Sequence, residues 1–162
     1  MTRRLVPFTA SALIRAVTGG TISAALAASP LAAQTISSCE AHLAASVHAV
    51  AEPLEANTRT YANGAIRVIK MDTGAPACCP EYLVILHPAG AAPDEQYRKC
   101  TLVSIEPDLG FSRIEFDTHS AAYDPARGLT LSFIVEIPFG NSVSAGGLDI
   151  TINQATGEVT LF

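Results

Sequence analysis

The four cysteines are the residues whose type and spacing say most about chemistry. They are Cys39, Cys78, Cys79 and Cys100. An even number of cysteines in an exported domain indicates disulfides, and four cysteines allow three pairings. A bond between neighbours closes a small, strained ring, so we expect Cys78 and Cys79 to bond to different partners. The alternative is a tetrahedral metal site that also uses His42, but adjacent cysteines are poor ligands for one ion, so we predict no metal and no cofactor.

One tetrapeptide matches a catalytic motif: Asp72-Thr73-Gly74-Ala75. It resembles the segment around the catalytic aspartate of retropepsin-type aspartic proteases, in which two carboxylates share a proton and activate water. The resemblance implies a small hydrolase in which a symmetric dimer supplies the second aspartate. The same residue types form strand-ending turns, which is the interpretation that we favour.

A second hydrolytic arrangement would bring together His87, His119 and Asp117, since active sites combine residues that are distant in sequence. No nucleophile elbow, phosphate loop, dinucleotide fingerprint or zinc-protease motif accompanies them. His87 precedes a proline at a strand end and His119 lies in a predicted turn, where a solvent-facing histidine is the simpler interpretation. We therefore predict no catalytic residue and favour a protein that is not an enzyme.

Residues 1–33 have the composition of a cleaved secretory signal. Arg3 and Arg4 are followed by an apolar stretch rich in Ala, Ser and Thr, with small residues up to Ala33. Cleavage after Ala33 would remove three arginines, leaving seven basic against 15 acidic residues, a formal charge of -8, in one domain, residues 34–162. Export predicts a periplasmic or extracellular protein. Arg3 and Arg4 also resemble a twin-arginine signal, so the export route stays open.

The segment Ile36-Ser37-Ser38-Cys39 resembles a lipobox, in which the cysteine becomes the acylated terminus of the mature chain. The resemblance implies a lipid-anchored envelope structural protein. Ser37 and Glu40 also have the spacing of a helix capping box, and acylation of Cys39 would leave one of the other three cysteines unpaired. The lipid anchor is therefore kept as an alternative.

The spacing of apolar residues predicts one helix followed by strands. Residues 38–52 favour a helix, and Leu43, Val47, Val50 and Leu54 recur at the spacing of the core face of an amphipathic helix, which Pro53 ends or bends. Runs of β-branched or alternating apolar residues then predict strands at 65–71, 82–86, 100–105, 113–117, 129–137, 148–152 and 159–161. We expect an α+β fold: an N-terminal amphipathic helix packed on an antiparallel meander of about six or seven strands, or a small sandwich.

The charge and apolar content narrow the choice of partner. An acidic chain lacks the clustered cations that nucleic-acid binding needs, and no apolar run is long enough for a membrane-spanning helix. We predict a small non-enzymatic binding or accessory domain with an unknown protein partner. Such a domain could be an inhibitor-like module that binds a cationic, lysozyme-like enzyme. The expected contact loop is residues 72–80, stiffened by its cysteines and prolines, with Asp72, Thr73, Gly74, Pro76 and Pro80 as contact residues.

Overall fold

The structure, a computed structural model, describes residues 34–90 and 98–162. In that part of the chain it has nine strands in two antiparallel sheets, and the only helical pieces are 3-10 turns of three residues each. The expected α+β class is therefore wrong, because the described chain is nearly all β. The predicted signal, residues 1–33, lies outside the described residues.

The first sheet has the strand order β1-β5-β4-β3-β2. Its strands are β1 (Thr35–Ser38), β2 (Thr58–Tyr61), β3 (Ile66–Asp72), β4 (Glu81–Pro88) and β5 (Arg98–Ser104). The central strand, β4, is buried on both faces from residue 82 to 85, which explains why its sequence is a continuous apolar run.

The second sheet is a meander in the order β6-β7-β8-β9. Its strands are β6 (Arg113–Asp124), β7 (Gly128–Phe139), β8 (Ser142–Asn153) and β9 (Glu158–Leu161). The turn before β7 forms because Oδ1 of Asp124 accepts hydrogen bonds from the backbone N–H groups of Ala126 (2.9 Å) and Arg127 (3.0 Å). Gly128 then takes a φ of 106°, and a Cβ there would lie 2.2 Å from the carbonyl oxygen of Ile152, so only glycine fits.

One hydrophobic core lies between the two sheets. Each sheet contributes the side chains of alternate residues, as the pleat requires. The members with almost no exposure include Ile66, Leu83, Ile85, Val103, Phe111, Leu131, Leu148 and Ile150. A smaller cluster lies on the outer face of the first sheet and comprises Ala49, Met71, Tyr82, Val84 and Leu102.

The predicted helix over residues 38–52 is wrong. The chain instead forms three successive 3-10 turns at Cys39–Ala41, Leu43–Ala45 and Val47–Ala49, each followed by one extended residue. A three-residue turn plus one extended residue repeats every four residues, which reproduces the spacing that suggested a helix. The predicted core face is broken up: Leu43 is 91% exposed and Val47 is 79% exposed, whereas Val50 packs against the smaller cluster.

Candidate functional site

The loop that joins β3 to β4 is a tight, exposed turn. Oδ1 of Asp72 accepts a hydrogen bond from the backbone N–H of Gly74 at 2.8 Å. Both the backbone N–H and the hydroxyl of Thr73 donate to the carbonyl oxygen of Pro80, at 3.0 and 3.3 Å. Residues 72–78 are exposed, and the carboxylate of Asp72 caps the turn, as the turn interpretation of this motif expects.

The disulfide pairing differs from the one that we expected. Cys39 bonds to Cys100, and Cys78 bonds to its neighbour Cys79. The first pair forms because β1 runs beside β5: Ser38 faces Thr101, which brings the Cα atoms of Cys39 and Cys100 to 5.4 Å. The residues of β1 show no apolar alternation, so nothing in the sequence indicates that Cys39 lies beside Cys100.

A second loop, residues 106–112, packs directly on the first. Gly110 makes this contact possible, because a Cβ there would lie 2.4 Å from the carbonyl oxygen of Glu81 and 2.6 Å from that of Cys79. Phe111 exchanges two backbone hydrogen bonds with Glu81, at 3.1 and 2.7 Å. The hydroxyl of Ser112 lies 3.6 Å from Sγ of Cys79. Residues 72–80 and 106–112 therefore form one continuous patch, which we call the two-loop surface.

The exposed charge of the two-loop surface is mainly negative. Asp72, Glu106 and Asp108 are exposed, and the side chain of Asp108 is 97% exposed. The backbone at Asp108 is held in place because its carbonyl oxygen accepts a hydrogen bond from the hydroxyl of Tyr82 at 3.2 Å. Burial raises the pKa of Tyr82, so this hydroxyl remains a donor at neutral pH. Nδ1 of His42 lies 3.6 Å from the carboxylate of Asp108.

A mostly buried ion pair supports the base of the two loops. Nζ of Lys70 lies 2.8 Å from Oε1 of Glu81, and each side chain is only 15% exposed. The second carboxylate oxygen of Glu81 accepts the backbone N–H of Ile114, and Lys70 donates to the carbonyl oxygen of the same residue at 3.3 Å. Lys70 is thus neutralised inside the protein and does not offset the exposed carboxylates.

His87, one of the candidate hydrolytic residues, is buried inside the protein. Its Nδ1 lies 2.9 Å from the carbonyl oxygen of Pro88, which only accepts, so Nδ1 carries the proton. Nε2 then accepts from the hydroxyl of Thr101 at 2.8 Å. Burial lowers the pKa of His87 and keeps the ring neutral. Both ring nitrogens are therefore used in the core.

The other two candidates, His119 and Asp117, also have structural partners. Nε2 of His119 bonds to the hydroxyl of Tyr61, its Nδ1 bonds to the carbonyl oxygen of Phe116, and its ring stacks on Phe133 at 4.9 Å. Asp117 pairs with Arg59 at 3.3 Å. These contacts join strand β2 of the first sheet to β6 of the second. Nothing in the sequence indicates that Tyr61 and His119, which are 58 residues apart, bond to each other.

Comparison with protein-family models, with curated proteins and with solved structures finds no match for this chain. Within residues 34–90 and 98–162, no three His, Cys, Asp or Glu side chains are grouped as a metal site would require. In the same residues, no helix is long and apolar enough to cross a membrane.

Proposed function

We propose that this protein is an exported, non-enzymatic binding domain whose two-loop surface contacts a cationic protein partner. The observation that carries the proposal is the packing of two acidic, exposed loops into one patch around Gly110. A single loop would present its charges on a mobile tip. Two loops joined by backbone hydrogen bonds hold the backbone at Asp72 and Asp108 in place and present both carboxylates on one surface.

Rigidity favours binding because less conformational freedom is lost when the complex forms. In the two-loop surface it comes from the Asp72 turn, the two Thr73–Pro80 hydrogen bonds and the Phe111–Glu81 backbone pair. The bond between Cys78 and Cys79 adds a further local constraint. The surface therefore has the pre-organised character of an inhibitor-like contact loop.

Charge favours a cationic partner. The chain has a formal charge of -5, and the exposed carboxylates of the two-loop surface concentrate negative potential at one end of the first sheet. Such a patch speeds the approach of a positively charged protein and repels an acidic one. Disulfides are typical of oxidising compartments, which supports export to the periplasm or the extracellular space.

Binding is favoured over hydrolysis by the state of the candidate catalytic groups. The carboxylate of Asp72 caps its own turn, and both ring nitrogens of His87 and of His119 are hydrogen-bonded within the fold. The lipid-anchor alternative requires Sγ of Cys39 for acylation, and that atom is bonded to Cys100. The intact mass of the mature protein tests the anchor, since acyl chains add mass and a disulfide removes the mass of two hydrogen atoms.

The binding proposal is tested by capture from an envelope extract. The bait is compared with a D72N/D108N variant, which removes two charges but keeps an amide oxygen to cap the turn. The matched control is D149N/E158Q, which removes two exposed charges from the second sheet. We expect a cationic protein that is retained by the wild type and the control, lost by D72N/D108N, and released by salt. Equal capture by all three baits, or no capture, contradicts the proposal.

A further inference from the structure

The hairpin formed by β7 and β8 extends beyond the rest of the second sheet. Strand β6 begins opposite Glu136, and the pairing with the β9 side stops at Asp149, which bonds to Phe162. In the part of the chain that the structure describes, residues 137–148 therefore have no strand on their outer sides: residues 137–139 pair only with 142–144, and residues 145–148 pair only with 133–136 of β7. We call this segment the β7–β8 ribbon.

One edge of the ribbon carries unpaired backbone groups. Asp149 exchanges two backbone hydrogen bonds with Phe162, at 3.4 and 3.0 Å, so its N–H and C=O point away from β7. In an antiparallel strand every second residue points these groups to the same side. Val143, Ala145 and Gly147 therefore present theirs on that edge, and none of the described residues pairs with them there.

The usual protections of an edge strand are missing from the β8 edge of the ribbon. Edge strands are commonly guarded by charged side chains, proline, bulges or a covering element. Residues 142–148, which form this edge in β8, contain no charged residue and no proline, since Pro138 lies in β7. The register between β7 and β8 is continuous from Leu129 to Phe139, without a bulge. The exposed residues of β8 here are Ser142, Val143, Ser144, Ala145 and Gly147. Such an edge is a template for another strand.

We propose that β8 pairs antiparallel with β8 of a second copy of this chain, with the two-fold axis at Ala145. Ala145 then faces its own counterpart, and Val143 faces the counterpart of Gly147. Each of these pairs is of the type that exchanges two backbone hydrogen bonds, because all three residues point their N–H and C=O groups outward. The result is one continuous sheet across the dimer.

Two observations favour a second copy as the occupant. The chain is acidic, so most of its surface repels another copy, whereas the ribbon has no charge to repel. The side chains on this face also fit each other across the two-fold axis. A Cβ added at Gly147 would meet nothing within 4 Å, so there is open space above this glycine. Val143 is 54% exposed, and Ile134, which pairs with Gly147, is 48% exposed. In the dimer Val143 fills the open space over the opposite glycine and packs against Ile134.

Analytical ultracentrifugation of the purified, disulfide-bonded protein over a range of concentrations tests the dimer. The informative variants are Ala145→Pro, which removes an N–H that the β7–β8 ladder does not use, and Val143→Lys, which sets a charge on the edge. The matched control is Val47→Lys, the same change at a valine that is 79% exposed elsewhere. Circular dichroism checks that each variant keeps its sheet content.

We expect the wild type and Val47→Lys to approach twice the monomer mass as concentration rises. Val143→Lys and Ala145→Pro should raise the dissociation constant by about tenfold or more, equal to about 1.4 kcal/mol. A wild type that stays monomeric overturns the proposal, whether or not the edge takes up a strand of another protein. A dimer that both edge variants leave intact overturns it as well.

Discussion

The two disulfides should contribute very differently to stability, although each is a single bond. The bond between Cys39 and Cys100 spans 61 residues, while that between Cys78 and Cys79 spans one. A cross-link stabilises the folded state mainly by reducing the freedom of the unfolded chain, and this effect grows with the length of the closed loop. For the longer loop, the loop-entropy relation gives about 4 kcal/mol.

The perturbation is the replacement of each pair by alanine. Cys39→Ala with Cys100→Ala should lower the free energy of unfolding by about 4 kcal/mol, a large part of the roughly 5–15 kcal/mol that holds a domain folded. Cys78→Ala with Cys79→Ala should lower it by about 1 kcal/mol or less, since a neighbouring pair closes almost no chain. The shorter bond would then act on the two-loop surface rather than on global stability.

Urea unfolding followed by circular dichroism and by tyrosine fluorescence measures both changes, and coincident transitions with the two probes show that unfolding stays two-state. Partner capture by the Cys78/Cys79 variant supplies a second readout, in which we expect weaker retention despite nearly normal stability. The reasoning is refuted if the two double variants lose equal stability. It is also refuted if the Cys39/Cys100 variant loses less than about 1 kcal/mol.

Three further changes test other parts of the structure. Gly110→Ala should lower the free energy of unfolding by about 3 kcal/mol in urea titrations, because its Cβ would clash with two backbone carbonyls. The control Gly146→Ala has open space around its Cβ and should change the free energy of unfolding by less than about 1 kcal/mol. Burial lowers the pKa of His87 from its usual 6.5, so its contribution to the free energy of unfolding should be complete above pH 6.5 and should be lost as pH drops through the lower folded pKa. His87→Leu should flatten that decline when the free energy of unfolding is measured against pH. Glu81→Ala should cost about 3 kcal/mol by leaving Lys70 buried without its partner, and adding Lys70→Met should recover part of the loss in a double-mutant cycle.

Much of the strand pattern was predictable from the sequence. Strands β3, β4, β5, β7 and β8 bury alternate or continuous apolar residues, and their cores fall where the alternation placed them. The short edge strands β1 and β2 were missed because their residues are mostly Thr, Ser and Arg, which give no apolar period. The predicted helix failed because a repeat of 3-10 turns mimics helical spacing.

The candidate site was only half predictable. The turn at Asp72 follows from local residue types, and the structure has it. The second loop, with Glu106, Asp108 and Gly110, was missed because its role depends on a tertiary contact with Cys79. Its Pro, Asp and Gly content indicates a turn, yet nothing in the sequence shows that this turn meets residues 72–80. The bond between Cys39 and Cys100 was not predicted for the same reason, because it depends on β1 lying beside β5.

The most direct test of the central claim is the affinity of the captured partner for the two-loop surface, measured by calorimetry at low and high salt. Two exposed charges of this kind contribute about 1–2 kcal/mol together, so D72N/D108N should weaken binding by about tenfold and reduce its salt dependence, while D149N/E158Q should not. Equal affinities for the two double variants would contradict the assignment of binding to the two-loop surface.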